Sequence, residues 1–290
     1  MSLPFDQQLY DMFLQADRHE GVDDLGGFAY NLDLSVPAIA TAIHAGHRVR
    51  KELLPLMEIT EAGRLFEEDA ATDEMIQGFP SAIWGLDSRV EYDINRPPAD
   101  ALPLTPEKFW GTQVYRTPPS DAMNARSLEK FHAFYRFSGS YVQALITRHG
   151  RCVVYDIHSY NISRQVEKGI ANPPVFNLGT VLLDKKKWGI QIDAWQQQLR
   201  SISIPGHETT VAENEVFFGR AHLCRSFTES GENVLVLPTE ISKVYMNEHE
   251  GTLKTPVVQA LKQGLRNAMQ QHSELFAPLL EQSSPKTSAN

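Results

Sequence analysis

Cys152-Val153-Val154-Tyr155-Asp156-Ile157-His158-Ser159 decides the fold. It is a short run rich in β-branched and aromatic residues, without glycine or proline, and it leads straight into a histidine. Ahead of it, residues 127–148 set Leu128, Phe131, Phe134, Tyr135, Tyr141, Leu145 and Ile146 at helical spacing, the pattern of an amphipathic helix. A continuous apolar run beside such a helix fits a strand covered on both faces. Two further runs read the same way: 38–44 (AIATAIH), which also ends in histidine, and 234–237 (VLVL), with Glu240 just past it. Weaker strand signals lie at 89–94 (RVEYDI, closed by Pro97-Pro98), 175–183 and 202–204. Helices are predicted over 5–17, within 61–79, and from Thr255 as N-cap with Pro256 at the first helical position. Helices alternating with buried strands predict an α/β sandwich around a mixed, largely parallel sheet. No repeat and no Gly/Ser-rich linker divides the chain. One domain is therefore expected over residues 1–282, followed by a polar tail at 283–290.

The whole chain narrows the function classes. It has 290 residues, 42 % hydrophobic and 22 % charged, with a net charge of −9. That acidity argues against nucleic acid as a partner, because phosphate binding needs a concentrated basic face. The one dense basic run, Lys185-Lys186-Lys187, reads as a solvated turn. Cys152 and Cys224 sit in apolar surroundings and read as core residues, not as a disulfide framework. The opening MSLPFDQQLYDMF has no apolar segment of the signal-peptide kind. No stretch of about eighteen apolar residues exists to cross a membrane. A cytoplasmic location follows as the expectation, with no membrane partner. Oligomeric state is left open.

His44, His158 and Glu240 all stand at the ends of apolar strands, where ligands gather in open α/β sheets. In Ile43-His44-Ala45-Gly46-His47 two histidines three apart can reach one cation, and a catalytic zinc needs three protein ligands plus an open position. His158 can supply the third; the alternative is that His47 is an ordinary loop residue. Asp156, two residues before His158, is placed either to orient a histidine ring or to accept a structural hydrogen bond. In Arg89-Val90-Glu91-Tyr92-Asp93-Ile94-Asn95-Arg96-Pro97, Arg96 can hold a carboxylate through two hydrogen bonds and the Asn95 amide can add a third. A surface salt bridge is the blander fate for that arginine. Glu240 can act as a proton carrier beside an activated water.

These pieces, in this order, resemble the N-formylglutamate amidohydrolase family over roughly residues 38 to 250. Asp93-Ile94-Asn95-Arg96 and Asp156-Ile157-His158-Ser159 carry most of the likeness. Asn177-Leu178-Gly179-Thr180 and Glu240-Ile241-Ser242 with Tyr245-Met246 add to it. The resemblance implies a three-layer sandwich of the zinc-carboxypeptidase kind, related also to aspartoacylase. It implies His44 and His158 as ligands of one zinc ion, Glu240 as general base and acid, and Arg89 as the group polarising the scissile carbonyl. Asn95 and Arg96 would hold the substrate carboxylate. Arg220 and His222, in Phe218-Gly219-Arg220-Ala221-His222, either line the pocket and bind a second carboxylate or are ordinary loop residues. His47 is taken as the remaining ligand, although the carboxypeptidases have glutamate there. An acid from Glu67-Glu68-Asp69 is its rival. The implied reaction is hydrolysis of an N-acyl amino acid, N-formyl-L-glutamate first. The alternatives are a carboxypeptidase, another N-acyl-amino-acid deacylase, or a relative that binds a small acidic ligand without turnover.

Overall fold

The computed structural model describes residues 4–231 and 233–276, so the tail expected at 283–290 lies outside the described residues. The strands are β1 (Arg18–Val22), β2 (Phe28–Asp33), β3 (Ala38–Ala42), β4 (Ala82–Gly85), β5 (Cys152–Tyr160), β6 (Phe176–Leu178), β7 (Val211–Glu213) and β8 (Val234–Ser242). They form one sheet in the order β1-β2-β4-β3-β5-β8-β6-β7. The middle of it, β4-β3-β5-β8, is parallel throughout, and β6-β7 is parallel as well. The antiparallel pairings are β1-β2, β2-β4 and β6-β8. The sheet is thus mixed and largely parallel.

The helices are α1 (Gln7–Gln15), α2 (Glu61–Glu67), α3 (Thr72–Ile76), α4 (Asp121–His149), α5 (Ile162–Glu167), α6 (Lys185–Arg200), α7 (His222–Ser230) and α8 (Thr255–Ser273). They cover both faces. Tyr155 of β5 packs edge-on or tilted against Phe79, Trp195 of α6 and His272 of α8. On the other face Phe131 and Tyr135 of α4 meet His222 of α7. Every residue of β5 is buried, which is why its sequence runs apolar instead of alternating. Leu265 of α8 is fully buried in the main core. Leu265→Ala is expected to cost about 2–5 kcal/mol, read as a lower urea midpoint with an unchanged slope.

Several expectations are corrected. Residues 89–94 form no strand. Their backbone closes turns instead, with Glu91 N donating to Ser88 O (2.9 Å), Arg96 N to Asp93 O (3.2 Å), and Asp93 N to Ala101 O (2.7 Å). The apolar alternation there has another cause: Val90 enters a small separate core with Phe109, Val114 and Tyr115, while Tyr92 and Ile94 enter the main one. Residues 202–204 contribute only an isolated bridge, Ile204 to His207. Glu240 lies inside β8, not beyond it. Lys185-Lys186-Lys187 opens α6, whose N-cap Asp184 accepts from Lys186 N and Lys187 N. Cys152 and Cys224, by contrast, are the buried free core thiols that the sequence predicts.

Candidate active site

The parallel strands β3, β5 and β8 bring His44, His158 and Glu240 together. His158 and Glu240 are direct partners in the β5-β8 register. His44 follows β3 by two residues and is buried. Its ring stands 5.0 Å from the ring of His158, centroid to centroid. The third corner is Asp69, held in place because its backbone N–H donates to the carbonyl of His44 at 3.0 Å. Asp69 Oδ2 lies 3.1 Å from His158 Nδ1 and 3.4 Å from His44 Nδ1. One ligand atom from each of the three falls within 4.8 Å of the other two, and all three residues are buried.

The far side of each ring is fixed by a carboxylate. His44 Nε2 lies 2.8 Å from Asp93 Oδ1, and His158 Nε2 lies 3.0 Å from Asp156 Oδ1. Asp156 Oδ1 also accepts from Thr41 Oγ1 at 2.8 Å. A ring that donates through Nε2 turns a lone pair outward at Nδ1. His44 Nδ1 is buried without a hydrogen-bond partner. Two such lone pairs aimed at one carboxylate oxygen call for a cation between them, and carboxylates behind the rings are the usual way to fix metal-binding histidines. The donor set of two nitrogens and one oxygen suits zinc.

The charges follow from burial and these neighbours. Burial opposes ionisation of Asp69, but the His158 and His44 rings outweigh it and hold its carboxyl below the usual range. Burial would keep His158 neutral, but Asp156 and Asp69 push its pKa well up. Glu240 is pushed up to about 8, first by burial, against the pull of His158 and with Asp69 and Asp156 adding to the rise. A cation beside it would lower that value, since an opposite charge favours the ionised form.

Asp93 is the hub of the Asp93-Ile94-Asn95-Arg96 segment. Besides His44 it takes Arg89 Nη2 at 2.7 Å and Arg96 Nε at 3.3 Å. The guanidiniums of Arg89 and Arg96 lie 4.5 and 4.9 Å from the ring centre of Trp110. Asn95 Oδ1 accepts from Leu223 N at 3.0 Å, and its Nδ2 lies 3.3 Å from His158 Nε2. These side chains line a cavity of about 220 Å³ together with Glu67, Arg164, Lys168 and Lys243. Arg164 grips Glu67 through two hydrogen bonds, of 2.9 and 2.6 Å. Lys243 is buried and donates to Phe66 O at 2.7 Å. Among the described residues no carboxylate comes within 4.0 Å of that ammonium.

His47 does not join the group. Its Nδ1 meets Glu68 Oε2 at 2.5 Å and its Nε2 lies 3.7 Å from Glu61. Gly46 explains the divergence. Its backbone passes so close to the segment after β4 that a Cβ would lie 2.4 Å from Asp87 O, and His47, next along the chain, turns to Glu68. Arg220 is exposed and lines a second cavity with Phe218, Gly219 and Pro238. His222 packs on Phe131 and Tyr135. Asp69 stood in the sequence as one of three consecutive acids. Trp110, Arg164 and Lys243 gave no local signal beyond their residue type.

The family model for N-formylglutamate amidohydrolase matches residues 36–246. No curated protein matches the chain in sequence. Among solved structures, an N-formylglutamate amidohydrolase from Ralstonia eutropha is similar in fold at a TM-score of 0.64 and 20 % identity, over 83 % of this chain and 94 % of that one. A gene product from Agrobacterium tumefaciens aligns at a TM-score of 0.56 and 16 % identity, over 92 % and 98 %. A metallo-carboxypeptidase from Burkholderia cenocepacia aligns at 0.40 and 13 %, over 94 % and 70 %.

Proposed function

The chain belongs to the N-formylglutamate amidohydrolase family, and we propose that it hydrolyses the amide bond of an N-acyl amino acid, N-formyl-L-glutamate in the first instance, with zinc held by His44, Asp69 and His158. The observation that carries this reading is the convergence of those three ligand atoms next to Glu240. A divalent cation held there supplies Lewis acidity, which acidifies water and polarises a carbonyl.

The protein's own groups do the rest. Glu240 takes a proton from the attacking water and returns it to the leaving amine nitrogen. Asp93 and Asp156 keep the two imidazoles in the tautomer that leaves Nδ1 free. Arg89, anchored by Asp93 and stacked on Trp110, faces the reacting centre and stabilises negative charge that develops on the acyl oxygen. Arg96 has one side on Asp93 and is a quarter exposed; it takes the α-carboxylate. Lys243, a buried cation with no carboxylate within 4.0 Å among the described residues, takes the side-chain carboxylate. That is the role the sequence had suggested for Arg220.

Turnover tests this directly. The purified protein with N-formyl-L-glutamate is expected to release formate when zinc is supplied. Release should stop on chelation and return when the metal is added back. No formate with any divalent metal would sink the hydrolase reading and leave a non-catalytic binder of small acids.

A further inference from the structure

Trp110 combines a strained backbone with an exposed ring. Its φ is +50°, in the left-handed region that a side chain with a Cβ enters only at a cost. The residue is 43 % exposed, although large aromatic rings gain most from burial. The turn that carries it is nevertheless firmly made. Phe109, just before it, is fully buried in the small core with Val90 and Tyr115. Gly111 N donates to Pro106 O at 2.8 Å, and Thr112 N to Phe109 O at 2.9 Å. The strained residue is therefore held from both sides, with its ring among the walls of the basic chamber.

Three guanidiniums converge on that ring. Those of Arg89, Arg96 and Arg164 lie 4.5, 4.9 and 5.6 Å from its centre. All three distances are in the range of cation–π attraction, for which indole is the best side-chain partner. The arginines come from separate places, Arg89 and Arg96 from the turns after β4 and Arg164 from α5. They share two carboxylates: Asp93 serves the first pair and Glu67 the third. The array at the ring thus keeps a surplus positive charge, and like charges so close repel. An indole face offsets that repulsion without neutralising the charge, as a third carboxylate would. Arg89 Nε is also buried without a hydrogen-bond partner among the described residues, a donor that the fold itself does not use.

Resting on the proposed amide hydrolysis, we infer that Trp110 is a positioning residue for the substrate's α-carboxylate, its ring gathering Arg89, Arg96 and Arg164 into one array poised for an anion. An array held in advance binds without first having to order three long side chains, which is where much binding energy is otherwise lost. The strain fits this role. Backbone outliers persist where the surrounding structure over-determines them, and they concentrate at ligand-binding positions. Trp110 acts through the arginines and not on the reacting atoms.

Calorimetry with two probes tests the inference: N-formyl-L-glutamate, and its α-amide, which lacks the α-carboxylate. The parent for binding is zinc-loaded Glu240→Gln protein, and turnover is measured in the wild-type background. Adding Trp110→Ala is expected to weaken N-formyl-L-glutamate by about tenfold or more, the scale of one or two cation–π contacts, and the α-amide by less than about threefold. Trp110→Phe keeps a ring face and is expected to recover most of the loss. In turnover, Trp110→Ala should raise KM by a larger factor than it lowers kcat. Trp110→Gly is the control for fold. Glycine accepts φ +50° without strain, so this variant should melt above Trp110→Ala while binding as weakly. Equal losses for the two probes, or an affinity unmoved by Trp110→Ala, overturn the inference and leave the hydrolase reading standing. A loss confined to the α-carboxylate probe, with no turnover by the wild type, supports the inference and defeats the hydrolase reading. No binding of either probe to the parent overturns both.

Discussion

Glu240→Gln is expected to lower kcat by about 10²–10⁴-fold, the usual contribution of a positioned proton carrier, with metal content and fold unchanged. Three features make the effect specific. Glu240 is paired in register with His158, so its carboxylate sits beside the ligand cluster by construction of the sheet. It is not one of the converging ligand atoms, so removing its charge does not remove a donor. Burial pushes its pKa up to about 8 in the metal-free protein, so glutamine has the shape and neutrality of the form the fold already favours. The sign of the stability effect follows. A carboxyl with a raised folded pKa binds its proton more tightly in the folded chain, and stability falls as pH rises through the unfolded value towards about 8. The variant removes that decline and is at least as stable as wild type at high pH. The activity sign is the reverse, because the base must be ionised, so wild-type kcat falls as pH drops below the value Glu240 has with the cation in place. Metal analysis, thermal melts and a pH–rate profile on both proteins check all three. A variant retaining near wild-type kcat would end the role assigned to Glu240.

How much of this was written in the sequence depends on whether a role is local. β5 and β8 were readable because their first halves, Cys152-Val153-Val154-Tyr155 and Val234-Leu235-Val236-Leu237, are buried throughout, which leaves an uninterrupted apolar run in each. The segment at 89–94 misled because alternation there records two separate cores, not two faces of a sheet. The site divides the same way. His44 follows β3, and His158 and Glu240 lie two residues before the ends of β5 and β8; the apolar run ahead of each can be located from one sequence. Asp69 reaches the cluster through a backbone bond to His44 across a short 3-10 helix, Leu54–Leu56, and α2, which no spacing rule encodes; three adjacent acids gave only the region. Lys243 and Arg164 acquire meaning from the cavity they line, and a cavity is a property of the folded chain.

Asp69→Asn and His47→Ala separate the two ligand sets that the sequence left in competition. Asp69→Asn removes the only carboxylate among the three converging groups, and with it the charge that offsets a divalent cation between two neutral rings. Loss of a group merely behind a ligand costs 10–100-fold in metal affinity. Loss of Asp69 itself is therefore expected to cost more than about 100-fold, with kcat/KM at a fixed low zinc concentration falling at least as far. His47→Ala is expected to leave metal content and kcat within a few-fold of wild type. Its effect falls on stability, because Glu68 is buried and takes His47 Nδ1 at 2.5 Å. A buried acceptor deprived of its partner costs about 1–3 kcal/mol. That loss carries its own pH signature. The Glu68 hydrogen bond raises the His47 pKa above 6.5, so the pair's contribution is fully present below 6.5 and disappears as pH rises through the folded value. The wild-type and His47→Ala melting temperatures should differ at pH 5.5 and converge towards pH 9. Zinc titration and melts on both variants give the answer. Metal lost from His47→Ala and retained by Asp69→Asn would return the third ligand to the histidine turn.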